Sequence, residues 1–157
     1  MHLGLLLELI NTRTGKKKKM SYRHLEHSTD AIIEVTAPNL TTAFEVAGKS
    51  VIETIIDPSK IEEKTMKRLS VTGKDLRYLL YNWLEEIIIL TITDGFAAKR
   101  ISVKIENKSE YKIQAELLGE EIDIKKHGFK VEIKSPTFHE MDIQEGEQIT
   151  LRYLLDL

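Results

Sequence analysis

Apolar residues recur at three- and four-residue spacing in two stretches of the chain, a pattern that predicts two amphipathic helices. The first helix follows Asn39, a residue type that favours the N-cap, and is expected to end by Asp57, which precedes a proline. Gly48 lies within this helix, where glycine costs about 1 kcal/mol relative to alanine, and therefore indicates close packing. The second helix follows Asp75 and carries Trp83 on its apolar stripe, which favours a core position for the indole ring.

Short segments that alternate between apolar and polar residues, or that are rich in β-branched residues, predict strands in the rest of the chain. The predicted strands cover residues 31–35, 64–72, 100–106, 112–118, 121–124, 131–134 and 149–155, with Gly119 at a bend. Strands and helices alternate at first, and only strands and turns follow the second helix. This order predicts an α+β fold in a single domain, with two amphipathic helices packed on a mainly antiparallel or mixed β-sheet.

The composition fits one globular domain that buries its core without covalent or metal cross-links. The chain has 157 residues, of which 41% are hydrophobic and 31% charged, and it contains no cysteine. The lack of cysteine excludes zinc-thiolate sites and disulfide frameworks, and it is compatible with a reducing cytoplasm, where we expect the protein to act. The leading apolar segment, residues 3–10, is too short to span a bilayer, so no membrane partner is expected.

The formal charge is distributed unevenly. The net charge of −2 divides into +4 over residues 1–19, which hold five cations and one anion, and therefore −6 over the rest. An acidic body repels phosphate backbones, so we expect contact with RNA only through a partner. Residues 1–19 are predicted to be an N-terminal extension, disordered or outside the fold, and residues 20–157 to form the domain. The alternative is an RNA-binding chaperone that uses the basic run at residues 16–19.

Carboxylates are found just before the first predicted strand and at the end of the sequence. A strand that opens directly after Asp30 would hold this carboxylate at the end of a sheet, and Asp156 directly precedes Leu157. If these two ends meet, three carboxylates converge, counting the α-carboxylate of Leu157, and such a group is costly unless a cation binds among them. An all-oxygen site suits Ca²⁺, Mg²⁺ or Mn²⁺. The alternative is that Asp30 is an ordinary cap or turn residue.

The histidines near this aspartate allow a second interpretation. Glu26 and His27 could act as a general acid–base pair, and with Asp30 they would make a metal-dependent phosphoester hydrolase. His24 and His27 lie three residues apart, which in an extended chain places the rings on opposite faces, so a histidine–zinc site is not expected. The sequence has no recognisable nucleophile elbow and no glycine-rich phosphate loop.

Four segments, in order along residues 22–157, resemble the archease family. The segment Glu26-His27-Ser28-Thr29-Asp30 is similar to the family's Glu/Asp-His-Thr-Ala-Asp motif, and residues 75–86 resemble its Asp-Leu-x-x-Leu-Leu-x-x-Trp-Leu-x-Glu segment. Residues 132–139 resemble Lys-Ala-Val/Ile-Thr-Tyr-His, and the sequence ends, as in the family, on an aspartate followed by an aliphatic residue. The sequence departs from the family's pattern at two places. The two small residues before Asp30 differ, and Pro136 replaces an aliphatic residue.

The resemblance implies a metal-binding accessory protein that has no catalysis of its own. Its expected partner is an RtcB-type tRNA-splicing RNA ligase, which it would activate by promoting guanylylation by GTP and multiple turnover. The family's metal site, commonly occupied by calcium, corresponds to Asp30, Asp156 and Leu157.

Further roles are implied by the same resemblance. Lys134 matches the family's functional lysine and would act in activation together with Asp30 and Asp156, whereas Glu26, His27 and His139 would orient the metal-binding residues. Two alternatives remain open, because Lys134 could be a solvated strand residue and His139 a hydrogen-bonded turn residue.

Overall fold

The computed structural model describes the backbone of residues 6–11, 18–25 and 30–157, and the side chains of residues 20–24 and 30–157. In chain order its elements are β1 (Leu6–Asn11), β2 (Lys18–Leu25), β3 (Asp30–Ala37), α1 (Leu40–Ile55), β4 (Thr65–Gly73), α2 (Leu76–Ile88), β5 (Phe96–Asn107), β6 (Tyr111–Glu121), α3 (Ile124–His127), β7 (Ser135–Glu145) and β8 (Ile149–Asp156). A 3₁₀ turn at Pro58–Lys60 follows α1, and a π-helical turn at Ile89–Thr93 follows α2.

The strands form two antiparallel sheets. The large sheet has the order β1-β2-β3-β8-β7 and the small sheet the order β4-β6-β5. Every pairing among the described strands is antiparallel. The α+β prediction is therefore confirmed, although the chain builds two sheets where one was predicted.

The two long helices join the sheets. Helix α1 contacts β2, β3 and β8 of the large sheet and β5 of the small one, while α2 contacts β4 and β6 of the small sheet and β7 of the large one. Because α1 has a neighbour on both sides, it buries more than one narrow stripe, including Val46, Ser50 and Thr54 as well as Phe44 and Ala47. Within the described part of the chain, every helix is too short or too polar to span a membrane.

Both predicted N-caps are confirmed. The Asn39 carboxamide oxygen accepts a hydrogen bond from the Thr42 amide at 2.8 Å, and the Asp75 carboxylate accepts one from the Tyr78 amide at 2.9 Å. Each cap satisfies an amide that the first helical turn leaves unpaired. Asp57 lies beyond the end of α1 and caps the 3₁₀ turn that follows.

Trp83 is at the centre of the core, as its position on the helical stripe predicts. Its side chain is fully buried, and the indole Nε1 donates a hydrogen bond to the Phe44 carbonyl at 2.8 Å. Gly48 packs against this ring, since a Cβ at this position would lie 3.1 Å from Trp83 Cζ2 and 3.0 Å from Ile101 Cδ1. The prediction of close packing at Gly48 is confirmed.

Gly119 does not form the predicted bend. Strand β6 runs straight through it, and the partner strand β5 has a bulge between Ala98 and Arg100, at the point where Gly119 pairs with Ala98. A Cβ on Gly119 would lie 1.8 Å from the Ala97 carbonyl oxygen. The glycine is therefore needed for the close approach of two backbones rather than for a turn.

Two other predicted strands are wrong. Residues 121–124 end β6 and enter the short helix α3, where the Asp123 carboxylate accepts a hydrogen bond from the Lys125 amide at 3.0 Å. Residues 131–134 precede β7 and are irregular. The backbone of this segment is held at both ends, because the Lys130 amide donates to the Ile55 carbonyl and the Lys134 amide to the Asp156 carbonyl, each at 2.7 Å.

The boundary between the extension at residues 1–19 and the domain at residues 20–157 stays a prediction. The described backbone pairs β1 with β2 from Leu6↔Arg23 to Asn11↔Lys18. Strand β1 is thus an edge strand of the large sheet, and β2 begins two residues before the predicted boundary.

We expect Gly119→Ala to destabilise the protein by about 1–3 kcal/mol or more, because the added methyl group forces two backbones apart. Urea denaturation measures the change. Gly146→Ala is the matched control, since the nearest atom to its added Cβ would be 3.9 Å away and its φ is not positive. The control should change stability by no more than about 0.5 kcal/mol. Equal stability of the two variants would contradict the role given to Gly119.

Candidate functional site

Asp30 and Asp156 lie opposite each other at one end of the large sheet. They are the first register pair between β3 and β8, so their Cβ atoms are about 5 Å apart on the same face. Both residues are partly exposed, and Leu157, the last residue of the sequence, follows directly. The structure therefore brings Asp30, Asp156 and Leu157 together at this end of the sheet.

Lys134, the residue before β7, also lies at this end of the sheet. Ser135 pairs with Asp156 on the side away from β3, and the Lys134 amide donates a hydrogen bond to the Asp156 carbonyl at 2.7 Å. The side chain of Lys134 is exposed. Its backbone position is thus fixed by the same residue that carries one of the carboxylates, while its ammonium group can reach a group on another molecule.

Alternation along β8 separates the site from the core. Leu151, Tyr153 and Leu155 are fully buried on the face that packs on the helices. Asp156 points to the other face, where its neighbours along the ladder are Leu154 and its partner Ile32. These two apolar residues are only 5% and 6% exposed, so the carboxylates have a water-poor neighbour on one side. Repulsion between the paired carboxylates is therefore less well screened there than in open water.

The donor chemistry fits a hard divalent cation. Among the described residues, no group of three or more His, Cys, Asp or Glu side chains is arranged so that it could hold a metal ion. The residues that meet here are Asp30, Asp156 and Leu157, which can supply only oxygen ligands. Oxygen ligands are those that Ca²⁺, Mg²⁺ and Mn²⁺ prefer, and a cation would offset the repulsion between the two aspartates.

The residues expected to orient this site have different positions. Glu26 and His27 lie outside the described residues. His139 lies on β7 with its side chain 79% exposed, and its amide donates to Thr137 Oγ1 at 2.9 Å. His24 is beside α1, with its Nε2 3.3 Å from Thr54 Oγ1 and its ring 5.9 Å from that of Tyr22. The orienting roles of Glu26, His27 and His139 stay predictions.

Comparison with known proteins decides the family. A model of the archease protein family (MTH1598/TM1083) matches residues 22–157. The chain belongs to the archease family. It is 35% identical over 125 residues to the protein archease of Pyrococcus abyssi, covering 79% of this chain and 88% of the relative. It is 34% identical over 143 residues to that of Pyrobaculum islandicum, covering 89% and 97%.

A solved structure agrees with this assignment. The solution structure of protein 1598 of Methanobacterium thermoautotrophicum matches this archease with a TM-score of 0.75 at 30% identity, over 87% of this chain and 98% of that one. Family membership supports a role as an accessory protein of RNA ligation and tRNA processing in general.

Sequence reasoning missed a buried ionic cluster in this archease. The Glu120 carboxylate accepts hydrogen bonds from Lys126 Nζ and the Glu62 amide, each at 2.8 Å, and lies 3.0 Å from His127 Nε2. The other ring nitrogen of His127, Nδ1, accepts from the Asp123 amide at 2.9 Å, so Nε2 carries the proton and donates to Glu120. The residues are spread over β6, α3 and the segment before β4, so no local pattern could have signalled the cluster.

A second missed group ties β2 to α1. The Tyr22 hydroxyl donates to Glu53 Oε1 at 2.6 Å, and the Ser50 and Tyr153 hydroxyls lie 2.5 Å apart. Burial raises the pKa of Tyr22, and it also raises the pKa of the Glu53 carboxyl against the opposing effect of the Tyr22 hydrogen bond. We infer that both groups stabilise the fold. The Glu120 cluster joins β6 and α3 to the segment before β4, and the tyrosine hydroxyls join β2 and β8 to α1.

We expect Glu120 to make stability depend on acidity. The Lys126 hydrogen bond, with that of the Glu62 amide, holds the pKa of the Glu120 carboxyl well below its ordinary value. A lowered pKa stabilises the fold above the unfolded-state value, and this contribution is lost as pH falls towards the folded-state value. Glu120→Gln should therefore be less stable than the wild type at pH 7, and the difference should shrink between about pH 5 and pH 2.

Urea midpoints measured across this pH range test the expectation. Glu116→Gln is the control, because Glu116 is half exposed and pairs with Arg68 at 3.4 Å on the protein surface. Surface ion pairs of this kind contribute little to stability, so the urea midpoint of this variant should match that of the wild type at every pH. If the urea midpoint of Glu120→Gln stayed below that of the wild type by the same amount down to pH 2, the ionised Glu120 carboxylate would not be the origin of the acid sensitivity.

Proposed function

We propose that this archease is a metal-binding accessory protein that activates an RtcB-type tRNA-splicing RNA ligase. It promotes guanylylation of the ligase by GTP and supports multiple turnover, and it acts in the cytoplasm without catalysing a reaction itself. RNA is reached only through the ligase. The observation that carries the proposal is the juxtaposition of Asp30, Asp156 and the exposed Lys134 at one end of the large sheet. Family membership supplies the link to RNA ligation.

Asp30, Asp156 and Leu157 would hold the divalent ion, with Ca²⁺ first and Mg²⁺ or Mn²⁺ as alternatives. When bound, the ion would offset the negative charge of the carboxylates, so that this end of the sheet would no longer repel an anionic group. Lys134 adds a second cation beside it. Together they favour contact with phosphate oxygens or with acidic side chains of the ligase, both of which accept charge-assisted hydrogen bonds.

We call the end of the large sheet that carries Asp30 and Asp156 the acidic end of the sheet, and its position explains how it could act on another protein. It lies at the end of a sheet whose core face is fully packed, so its backbone is rigid while its polar groups face outward. We infer that it docks at the metal and nucleotide pocket of the ligase and promotes loading there. An activator must bind the activated or loading-competent state more tightly than the resting state. Carboxylates and a lysine that meet the ligase's metal and nucleotide only in that state provide such a difference.

Replacing Asp156 or Asp30 with Ala should abolish activation, because each variant removes half of the carboxylate pair. The assay is RNA ligation by an RtcB-type ligase with GTP, limiting enzyme and excess RNA. The wild type should convert a single-turnover reaction into a multiple-turnover one. Asp94→Ala is the control, since Asp94 is an exposed aspartate on the connection from the π-helical turn to β5. Full activation by Asp30→Ala and Asp156→Ala, with folds intact by circular dichroism, would show that the site is assigned wrongly.

Metal binding should be measurable without the ligase. Added Ca²⁺ at about 100 times its Kd should stabilise the wild type by about 2.7 kcal/mol, which raises the Tm of a domain of this size by about 5–10 °C. Asp30→Ala and Asp156→Ala should lose this response. Lys134→Ala should keep it but lose activation, because the lysine side chain is not an oxygen ligand. An unchanged Tm of the wild type after chelation and Ca²⁺ addition would remove the metal from the proposal.

A further inference from the structure

Three aromatic rings form an exposed cluster where α2 meets the edge of the large sheet. Phe138 of β7 stacks on Tyr81 of α2, with ring centroids 4.4 Å apart and planes at 10°, and it contacts Tyr78 at 5.0 Å. We call Tyr78, Tyr81 and Phe138 the aromatic patch. Tyr78 is 41% exposed and Phe138 36% exposed, so the patch is a continuous apolar surface in contact with solvent. Isolated exposed apolar residues are common, whereas contiguous ones mark interaction sites.

The patch is built on a strained and braced backbone. Residues 138–141 of β7 lie opposite the single residue Tyr153 of β8, so the edge strand bulges out of the ladder. Glu140 within the bulge has a φ of 60°, a conformation that is unfavourable for residues other than glycine. Arg77 of α2 braces the bulge, because its guanidinium donates to the Met141 carbonyl at 2.8 Å and to the Phe138 carbonyl at 3.5 Å. The rings are therefore held in place before any partner arrives, which lowers the entropic cost of binding.

Two cations lie on the patch. Lys74 Nζ is 4.3 Å from the centre of the Tyr78 ring, and the Arg77 guanidinium is 5.9 Å from that of Phe138. Neither side chain makes an ion pair with a described residue of the chain. Aromatic rings and arginine together are the composition of interface hot spots. The charge complement of such a surface is a partner that presents an apolar side chain flanked by carboxylates.

We propose that the aromatic patch is a docking surface for the ligase, distinct in its role from the acidic end of the sheet. The proposal rests on the function proposed above. Strand β7 connects the two places, since Ser135 pairs with Asp156 and Phe138 comes three residues later, about 10 Å along the strand. Phe138 faces α2 and Asp156 faces away from the helices, so a single partner covers both by wrapping around this edge of the sheet. The patch supplies affinity, and the carboxylates with Lys134 act on the ligase once it is held.

The local charges favour a protein partner over single-stranded RNA. Asp75 and Glu140 are exposed carboxylates beside the patch, and the Asp30–Asp156 pair lies at the start of the same strand ladder. RNA binding without sequence preference needs an excess of cations along the backbone path, and the two cations on the patch are outnumbered by these four carboxylates. Two cations are enough, however, to pair with the carboxylates that flank one apolar side chain of a protein. RNA bound directly at the patch is thus an outcome that would overturn the proposal.

The test separates affinity from activation. Archease is titrated into the RtcB-type ligation assay, and the concentration for half-maximal stimulation is compared with the maximal stimulation. Phe138→Ala should raise the half-maximal concentration at least tenfold and leave the maximum unchanged, whereas Asp156→Ala should lower the maximum. Phe129→Ala is the matched control, because Phe129 is 51% exposed and lies next to the Lys130 amide that bonds to the end of α1. The control should shift neither value by more than about twofold.

A charge variant covers the case in which Phe138→Ala is unfolded. Lys74→Glu, at an exposed position, should weaken docking in the same way, and Lys104→Glu on the exposed face of the small sheet should not. Direct binding of the ligase, measured by calorimetry, should weaken in parallel. Unchanged half-maximal concentrations for both patch variants would overturn the docking surface while leaving the proposed function standing.

The remaining outcomes are also distinct. Archease that binds the ligase through the patch without stimulating it would support the docking surface and refute the proposed function. Archease that neither binds nor stimulates the ligase would refute both. Salt-sensitive binding of a fluorescent single-stranded RNA by the wild type, lost in Phe138→Ala, would replace the ligase with RNA as the occupant of the patch.

Discussion

The ladder between β3 and β8 is the constraint on which the site depends. Eight register pairs run from Asp30↔Asp156 to Ala37↔Ile149. A slip of one residue would turn Asp156 towards the core and Leu155 towards solvent, because side chains alternate between the two faces. The fully buried Ile33, Tyr153 and Leu155 prevent such a slip, since exposing them would cost several kcal/mol in lost burial. The hydrophobic core thus holds two like charges opposite each other, an arrangement that the carboxylates would not adopt by themselves.

Local features of the fold could be predicted from sequence because they depend on neighbours in the chain. The caps at Asn39 and Asp75 and the helical stripe that buries Trp83 follow from residue type and periodicity, and the structure contains all of them. Alternation along the last strand likewise separates Asp156 from Leu155 before any partner strand is known. That Asp30 and Asp156 meet is a non-local fact, since 125 residues intervene, and only the family resemblance pointed to it.

What sequence reasoning missed depends on contacts between distant segments. Glycine is typical of turns, but here it is required because the Ala97 carbonyl of the neighbouring strand leaves no space for a Cβ on Gly119. Residues 131–134 alternate like a strand yet stay irregular, because their flanking amides bond to α1 and to Asp156. Tyr78 and Phe138 become one surface only through the bulge that Arg77 braces. In each case the decisive partner lies more than twenty residues away.

The acidic end of the sheet and the aromatic patch have opposite physical properties, and this favours a division of labour. A pair of carboxylates is a poor anchor, because desolvating like charges costs more than it returns unless a cation is placed between them. Such a group discriminates strongly between a partner that presents a metal or nucleotide and one that does not. Preorganised aromatic rings gain affinity from apolar burial whatever the state of the partner's active site. A surface that binds all states of an enzyme equally tightly cannot activate it. A surface that distinguishes the states but binds weakly cannot keep the enzyme bound, so an activator built on this fold needs both surfaces.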